Sequence, residues 1–124
     1  MDKKKIKQLQ NAVMLILNFD GWELKHSGKN LKGKTPKGFD CIIEMNFIKI
    51  YNERKPLEKN KYNYLMSLDK NIIKIYFVND PKGNFMYWLN NLKMPSTMEK
   101  GLQTEVYLLK ENDASRININ NLLK

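Results

Sequence analysis

The first segment of the chain has the hydrophobic periodicity of an amphipathic helix. Apolar side chains recur at helical spacing, with lysines and amides between them: Ile6, Leu9, Val13, Ile16 and Leu17. This spacing predicts a helix from Lys3 to Asn18, with Asp2 as its N-cap and Phe19-Asp20-Gly21 at its end. The apolar run within it is far shorter than the roughly 20 residues that span a bilayer. We therefore expect a cytoplasmic protein with no membrane partner.

The rest of the chain alternates extended segments with turns that contain Gly or Pro. Segments rich in β-branched and aromatic residues predict strands over residues 22–26, 39–50, 71–78, 84–92 and 104–109. Residues 27–38 contain three glycines and a proline and predict a loop. Pro56 predicts the first turn of a second helix, Leu57 to Leu68. Residues 79–83 predict a hairpin turn that includes Asp80. Residues 94–101 are expected to be irregular, and the tail from Ile117 is weakly determined.

This order of elements predicts an α/β (α+β) fold in which a central mixed β-sheet is flanked by two helices. A length of 124 residues is typical of one domain, so we expect a single domain over residues 1–124. With 42% hydrophobic residues, the chain can bury a core. A single cysteine, Cys41, excludes an internal disulfide framework.

The chain carries a formal charge of +9, which is compatible with a nucleic-acid partner. Of its 22 cationic residues, 20 are lysines, which suit contacts with the phosphate backbone better than the reading of base edges. Genome composition is an equally strong explanation, because the chain is also rich in Asn and Ile. Five lysines fall in an acid-free stretch and are the predicted nucleic-acid contacts: Lys25, Lys29, Lys32, Lys34 and Lys37. The alternative is a solvated loop.

The strand predicted over residues 39–50 carries the candidate chemistry. Its alternation places Asp40, Ile42, Glu44 and Asn46 on one face, and Cys41, Ile43, Met45 and Phe47 on the other. Two carboxylates and an amide on a strand built for burial require a metal, a cation or a hydrogen-bond network. The simplest alternatives are an ion pair of Glu44 with Lys25 or Lys74, and a turn or strand-entry hydrogen bond for Asp40.

A helix, the segment from Pro36 to Asp40, the triplet Glu44-Met45-Asn46, a second helix and an apolar strand follow one another along residues 3–80. This arrangement resembles the PD-(D/E)xK nuclease superfamily. The resemblance implies a PD-(D/E)xK-like core with a C-terminal β-hairpin extension. It also implies that Asp40 and Glu44 bind Mg²⁺ or Mn²⁺, while Asn46 occupies the position of the catalytic lysine. Because Asn46 is neutral, Lys25 of the neighbouring strand is the expected substitute.

The spacing of the two acids sets a condition on this metal site. Four strand residues span about 13 Å, whereas oxygens on one Mg²⁺ lie within about 4 Å of each other. Asp40 must therefore fold back in the turn after Gly38, or a different acid (Glu23, Asp20 or Glu58) must complete the site.

Two functions follow. The first is a small metal-dependent nuclease acting on phosphodiester bonds of DNA or RNA, with the catalytic set Asp40, Glu44, Asn46 and Lys25, encoded by a phage or mobile element. The second is a catalytically inactive nucleic-acid-binding or protein-inhibitor module on the same fold, which Asn46 favours. A protein partner or a homodimer is compatible with either.

Overall fold

The computed structural model describes residues 3–94, 98–100 and 105–117. The chain begins with helix α1 (Lys3–Phe19), which confirms the first predicted helix. The residues buried on one side of α1 are Ala12, Val13, Ile16 and Leu17. The proposed cap Asp2 lies outside the described residues. The helix ends where Gly21, with a φ of 101°, turns the backbone toward the first strand.

The strands and the second helix follow in chain order. The strands are β1 (Glu23–Ser27), β2 (Asn30–Lys34), β3 (Asp40–Phe47), β4 (Arg54–Glu58), β5 (Ile73–Asp80), β6 (Gly83–Trp88), β7 (Met98–Lys100), β8 (Glu105–Lys110) and β9 (Ser115–Ile117). Helix α2 (Lys59–Ser67) lies between β4 and β5, and a 3₁₀ helix (Glu111–Asp113) lies between β8 and β9.

The strands form two sheets. The larger is a mixed sheet of six strands in the order β1-β2-β3-β5-β6-β9, in which β3 and β5 are parallel and the other pairs are antiparallel. The smaller is antiparallel, in the order β4-β8-β7. The predicted α+β fold, with a mixed sheet and two helices, is confirmed.

Each face of the large sheet has its own hydrophobic cluster. Helix α1 packs on one face, where Val13, Leu31 and Phe77 are fully buried. The other face is covered over β5 and β6 by the small sheet and α2, with Leu57 and Leu65 fully buried. On this second face the charged side chains of β1 and β2 lie beyond the cover and are exposed.

The prediction of a loop over residues 27–38 is wrong, because that segment contains strand β2. Gly28 and Gly38 have φ angles of 61° and 87° and form the two tight turns that bound it. At Gly33 a Cβ would lie 1.7 Å from the carbonyl oxygen of Glu23, so only glycine allows β1 and β2 to approach this closely. Leu31 anchors the strand in the core under α1.

The predicted start of the second helix is also wrong. Pro56 lies within β4, opposite Leu108, and the helix begins only at Lys59. Proline is tolerated there because β4 is an edge strand of the small sheet. Local sequence favours helix initiation at Pro56, but the distant strand β8 determines the extended conformation.

Other boundaries change less. Strand β3, predicted over residues 39–50, ends at Phe47. Strand β6, predicted over residues 84–92, ends at Trp88. A short strand, β7, lies in the segment expected to be irregular, and β9 reaches the start of the weakly determined tail. Among the described residues, no helix is both long and apolar enough to cross a membrane.

Candidate functional site

The polar residues of β3 lie on the sheet face opposite α1. Cys41, Ile43 and Met45 are buried under α1, while Ile42 belongs to the cluster on the other face. This burial confirms the predicted alternation, so Asp40, Glu44 and Asn46 point to the same side as Ile42. Burial also raises the pKa of the Cys41 thiol to about 11, which makes it a poor nucleophile near neutral pH.

The strands β1 and β2 present exposed charged side chains on this same side. We call this surface the hairpin face: Glu23, Lys25, Lys32 and Lys34. Lys25 and Lys32 are directly opposite each other in the antiparallel register. Both are exposed, and within the described ranges neither forms an ion pair. The hairpin face therefore holds two adjacent positive charges that form no ion pair in the described structure.

Lys34 differs from these two lysines because it is already neutralised. Its Nζ lies 2.9 Å from Oδ1 of Asp40, and the residue opposite it in the strand register is Glu23. The hydrogen bond to Asp40, together with the attraction of both carboxylates, raises the pKa of Lys34. Asp40, the first residue of β3, is therefore exposed and forms an ion pair with this lysine.

Glu44 is mostly buried, with 14% of its side chain exposed, and pairs with helix α2. Its Oε1 lies 3.4 Å from Nζ of Lys61. An ion pair was the expected alternative for Glu44, but its partner is neither Lys25 nor Lys74. Lys74 is buried and donates instead to the carbonyl oxygen of Asp69 at 2.7 Å. Lys61 was missed because a contact between a helix and a strand has no local sequence signal.

Asn46 takes part in a hydrogen-bond chain that joins three strands. Its Nδ2 donates to the hydroxyl of Tyr76 at 3.0 Å, and that hydroxyl donates to the carbonyl oxygen of Pro56 at 2.6 Å. Burial raises the pKa of Tyr76, so the phenol stays protonated and keeps this donor role. The position compared above with a catalytic lysine therefore holds an amide that connects β3, β5 and β4.

Lys25 does not lie on the strand next to β3, which corrects its expected place. Strand β2 separates β1 from β3. Lys25 is opposite Lys32 of β2, which is in turn opposite Ile42 of β3, so the register does not bring Lys25 to Asn46. The error follows directly from the unrecognised strand β2. Lys25 therefore faces solvent two strands away from Glu44.

The arrangement of the two acids does not fit one shared metal ion. Asp40 and Glu44 stand four residues apart on a continuous strand, which corresponds to about 13 Å. Each has its own lysine, Lys34 or Lys61. Within the described residues, no group of three or more His, Cys, Asp or Glu side chains is placed to hold a metal. We therefore derive no chemical step through a metal.

The five lysines predicted as nucleic-acid contacts occupy three places. Lys25, Lys32 and Lys34 lie on the hairpin face. Lys29 lies in the turn between β1 and β2, where its carbonyl oxygen accepts a hydrogen bond from Gln10 at 3.1 Å. Lys37 lies in the turn between β2 and β3 and is exposed. A stretch that is continuous in sequence is thus spread along the whole hairpin.

A buried charge cluster lies at the other end of the fold. Lys55 of β4 is fully buried and forms ion pairs with Asp80 and, at 3.1 Å, with Glu111. The hydrogen bond that Tyr51 donates to Glu111 is the main cause that lowers the pKa of this carboxyl. Asp80 also accepts the backbone N–H of Lys82, as its predicted turn role requires, but the pair with Lys55 was not foreseen.

Neither a scan against protein-family models nor a search of curated proteins finds a match to the chain. The geometry of its own residues therefore carries the functional argument.

Proposed function

We propose that this protein binds the phosphate backbone of nucleic acid through the hairpin face. The observation that carries the proposal is the pair Lys25 and Lys32, which stand directly opposite each other, exposed and without an ion pair in the described structure. Like charges at opposite cross-strand positions are destabilising. A bound phosphate supplies the missing negative charge and offsets that repulsion.

The chemistry of the hairpin face favours the backbone over the bases. Lysine is a mobile point charge, whereas guanine recognition commonly uses the planar guanidinium of arginine. The chain has only two arginines, and neither is on the hairpin face. Lys37 extends the positive surface beyond the end of β2. We therefore expect binding that depends weakly on base sequence and strongly on salt.

The test compares two double variants that lose the same charge. Lys25→Ala/Lys32→Ala removes the unpaired lysines, and Lys70→Ala/Lys93→Ala removes two exposed lysines elsewhere. Fluorescence anisotropy with single- and double-stranded DNA and RNA, over a salt series, gives affinity and its salt dependence. Each lost phosphate contact lowers the slope of log K against log salt by about 0.9 for duplex DNA. We expect a reduction of about two contacts in the first variant alone.

Equal losses in the two variants would mean that net charge, and not the hairpin face, drives binding. Absence of oligonucleotide binding near physiological salt would reject the proposal altogether. A protein-only partner would then be the better hypothesis, since it requires no nucleic acid.

A metal-dependent nuclease remains a second candidate. It is favoured by the order along the chain of α1, β3 with Glu44, α2 and the apolar strand β5, since the resemblance rests on these elements. Incubation of nucleic acids with Mg²⁺, Mn²⁺ or EDTA tests it. Metal-dependent cleavage that Glu44→Ala abolishes and that Glu53→Ala, a change at an exposed glutamate outside the candidate set, retains would support a nuclease. No cleavage of any substrate would leave a binding module.

A further inference from the structure

A groove lies at the tip of the β1–β2 hairpin, on the side of α1 and away from Lys25 and Lys32. Its walls are the first two turns of α1, the turn between β1 and β2, and the end of β3. The cavity has a volume of about 810 Å³. This is within the range of about 300–1,000 Å³ that is typical of small-molecule sites.

The groove combines a positive rim with an apolar floor. Lys3, Lys7 and Lys29 line it, and no carboxylate does. All three lysines are exposed, and none forms an ion pair in the part of the chain that the structure describes. The floor includes Met45 and Phe47, side chains from the α1 side of β3.

Two hydrogen bonds fix the walls relative to each other. Gln10 of α1 donates to the carbonyl oxygen of Lys29 at 3.1 Å. The Oδ1 atom of Asn11, also on α1, lies 2.6 Å from Nε2 of His26 on β1. The hairpin tip is therefore held against the helix, so the lysines of both elements face one cavity without a ligand having to assemble it.

We propose that this groove binds a nucleotide through its phosphate. The lysine rim matches a phosphate group, because three cations with no acid create a positive field at the mouth. The aromatic and thioether floor offers a surface on which a base can pack. The nucleotide is either free or the phosphorylated end of a strand. The proposal does not depend on the hairpin face, since the two sites share no lysine.

The experiment measures binding to the full chain by calorimetry with four probes. These are ATP, inorganic pyrophosphate, and one oligonucleotide with either a 5′-phosphate or a 5′-hydroxyl. Lys7→Ala/Lys29→Ala is compared with Lys25→Ala/Lys32→Ala and with Lys70→Ala/Lys93→Ala, which lose the same charge. All six lysines are exposed, and circular dichroism checks that each variant remains folded.

We expect the groove variant alone to weaken ATP binding, or alone to reduce the preference for a 5′-phosphate over a 5′-hydroxyl, by roughly tenfold, as the loss of charge-assisted hydrogen bonds predicts. Tight ATP binding identifies a free nucleotide, and a preference for the 5′-phosphate over the 5′-hydroxyl identifies a strand end. Three results overturn the proposal. In the first, neither ATP nor the 5′-phosphorylated oligonucleotide binds. In the second, all three variants weaken ATP binding equally. In the third, pyrophosphate binds as tightly as ATP. Duplex binding that Lys25→Ala/Lys32→Ala leaves unchanged would count against the proposed function without affecting the groove.

Discussion

Lysines in two regions of this molecule have opposite surroundings. On the hairpin face, Lys25 and Lys32 stand side by side in solvent, and neither forms an ion pair with any described residue. On β4 of the small sheet, Lys55 is fully buried and is surrounded by acceptors. It binds Asp80, Glu111 and the carbonyl oxygen of Asn52 at 2.7 Å, and its ammonium lies 4.5 Å from the centre of the Tyr51 ring.

The difference separates a structural charge from one that is free to bind a ligand. Every donor of the Lys55 ammonium has an acceptor within the protein, so an external anion has nothing to gain there. The charges of Lys25 and Lys32 are satisfied only by water and salt. The net charge of +9 counts these lysines alike, whereas their contacts distinguish the paired Lys55 from the two lysines that form no ion pair in the described structure.

The largest expected effect is on stability, from breaking the buried cluster. Asp80→Ala leaves a buried ammonium with one of its two carboxylates, and we expect a loss of about 3–5 kcal/mol in the free energy of unfolding. Asp40→Ala is the matched control, because it removes an aspartate whose pair with Lys34 is exposed, and we expect a change within about 1 kcal/mol. Urea denaturation measures both. Similar losses in the two variants would show that burial does not distinguish the pairs.

A smaller and opposite effect is expected on the hairpin face. Lys32→Glu converts a like-charge cross-strand pair into an opposite-charge pair with Lys25. We expect the free energy of unfolding to increase by about 0.2–1 kcal/mol, while oligonucleotide affinity falls. Lys70→Glu provides the control for the change in net charge. Destabilisation by Lys32→Glu would mean that Lys32 has a structural role in the hairpin.

The smallest effect concerns alkaline pH at the edge of the buried cluster. The hydrogen bond that Tyr51 donates to Glu111 raises the pKa of the phenol from 10.0 to about 12. The folded state thus holds this proton more tightly than the unfolded state. The resulting stability is fully present below pH 10 and is lost as pH rises through about 12. Denaturation of the wild type and of Tyr51→Phe should converge across this window, and a constant difference would contradict the assignment.

Elements with a strong local pattern could be predicted from the sequence. The stripe of α1, the apolar strand β5 and the alternation of β3 each follow from the periodicity of side chains within one segment. Strand β2 could not be predicted in this way, because Leu31 is its only fully buried side chain and its glycines resemble those of a loop.

Long-range contacts limited the prediction of the candidate site. The polar face of β3 was identified correctly, but the partners of its residues come from other elements. Lys61 of α2 forms the ion pair with Glu44, and Tyr76 of β5 accepts the hydrogen bond from Asn46. The pairing of Lys55 with Asp80 joins residues 25 positions apart and depends on how the small sheet packs on the large one. The residue types indicated that these polar side chains need partners. They did not indicate which of the 20 lysines would pair with a given carboxylate.

The position of β4 in the chain has a consequence for synthesis on the ribosome. Its strand partner β8 is made only after β5 and β6, so β4 emerges early and stays unpaired until the later segment follows. During that interval the Lys55 ammonium also lacks Glu111. An unpaired edge is a template for wrong strand pairing, and domains synthesised from the N-terminus pass through such partly assembled states. A nascent chain halted between Trp88 and Glu105 should therefore be the form most easily captured by chaperones or cleaved by proteases.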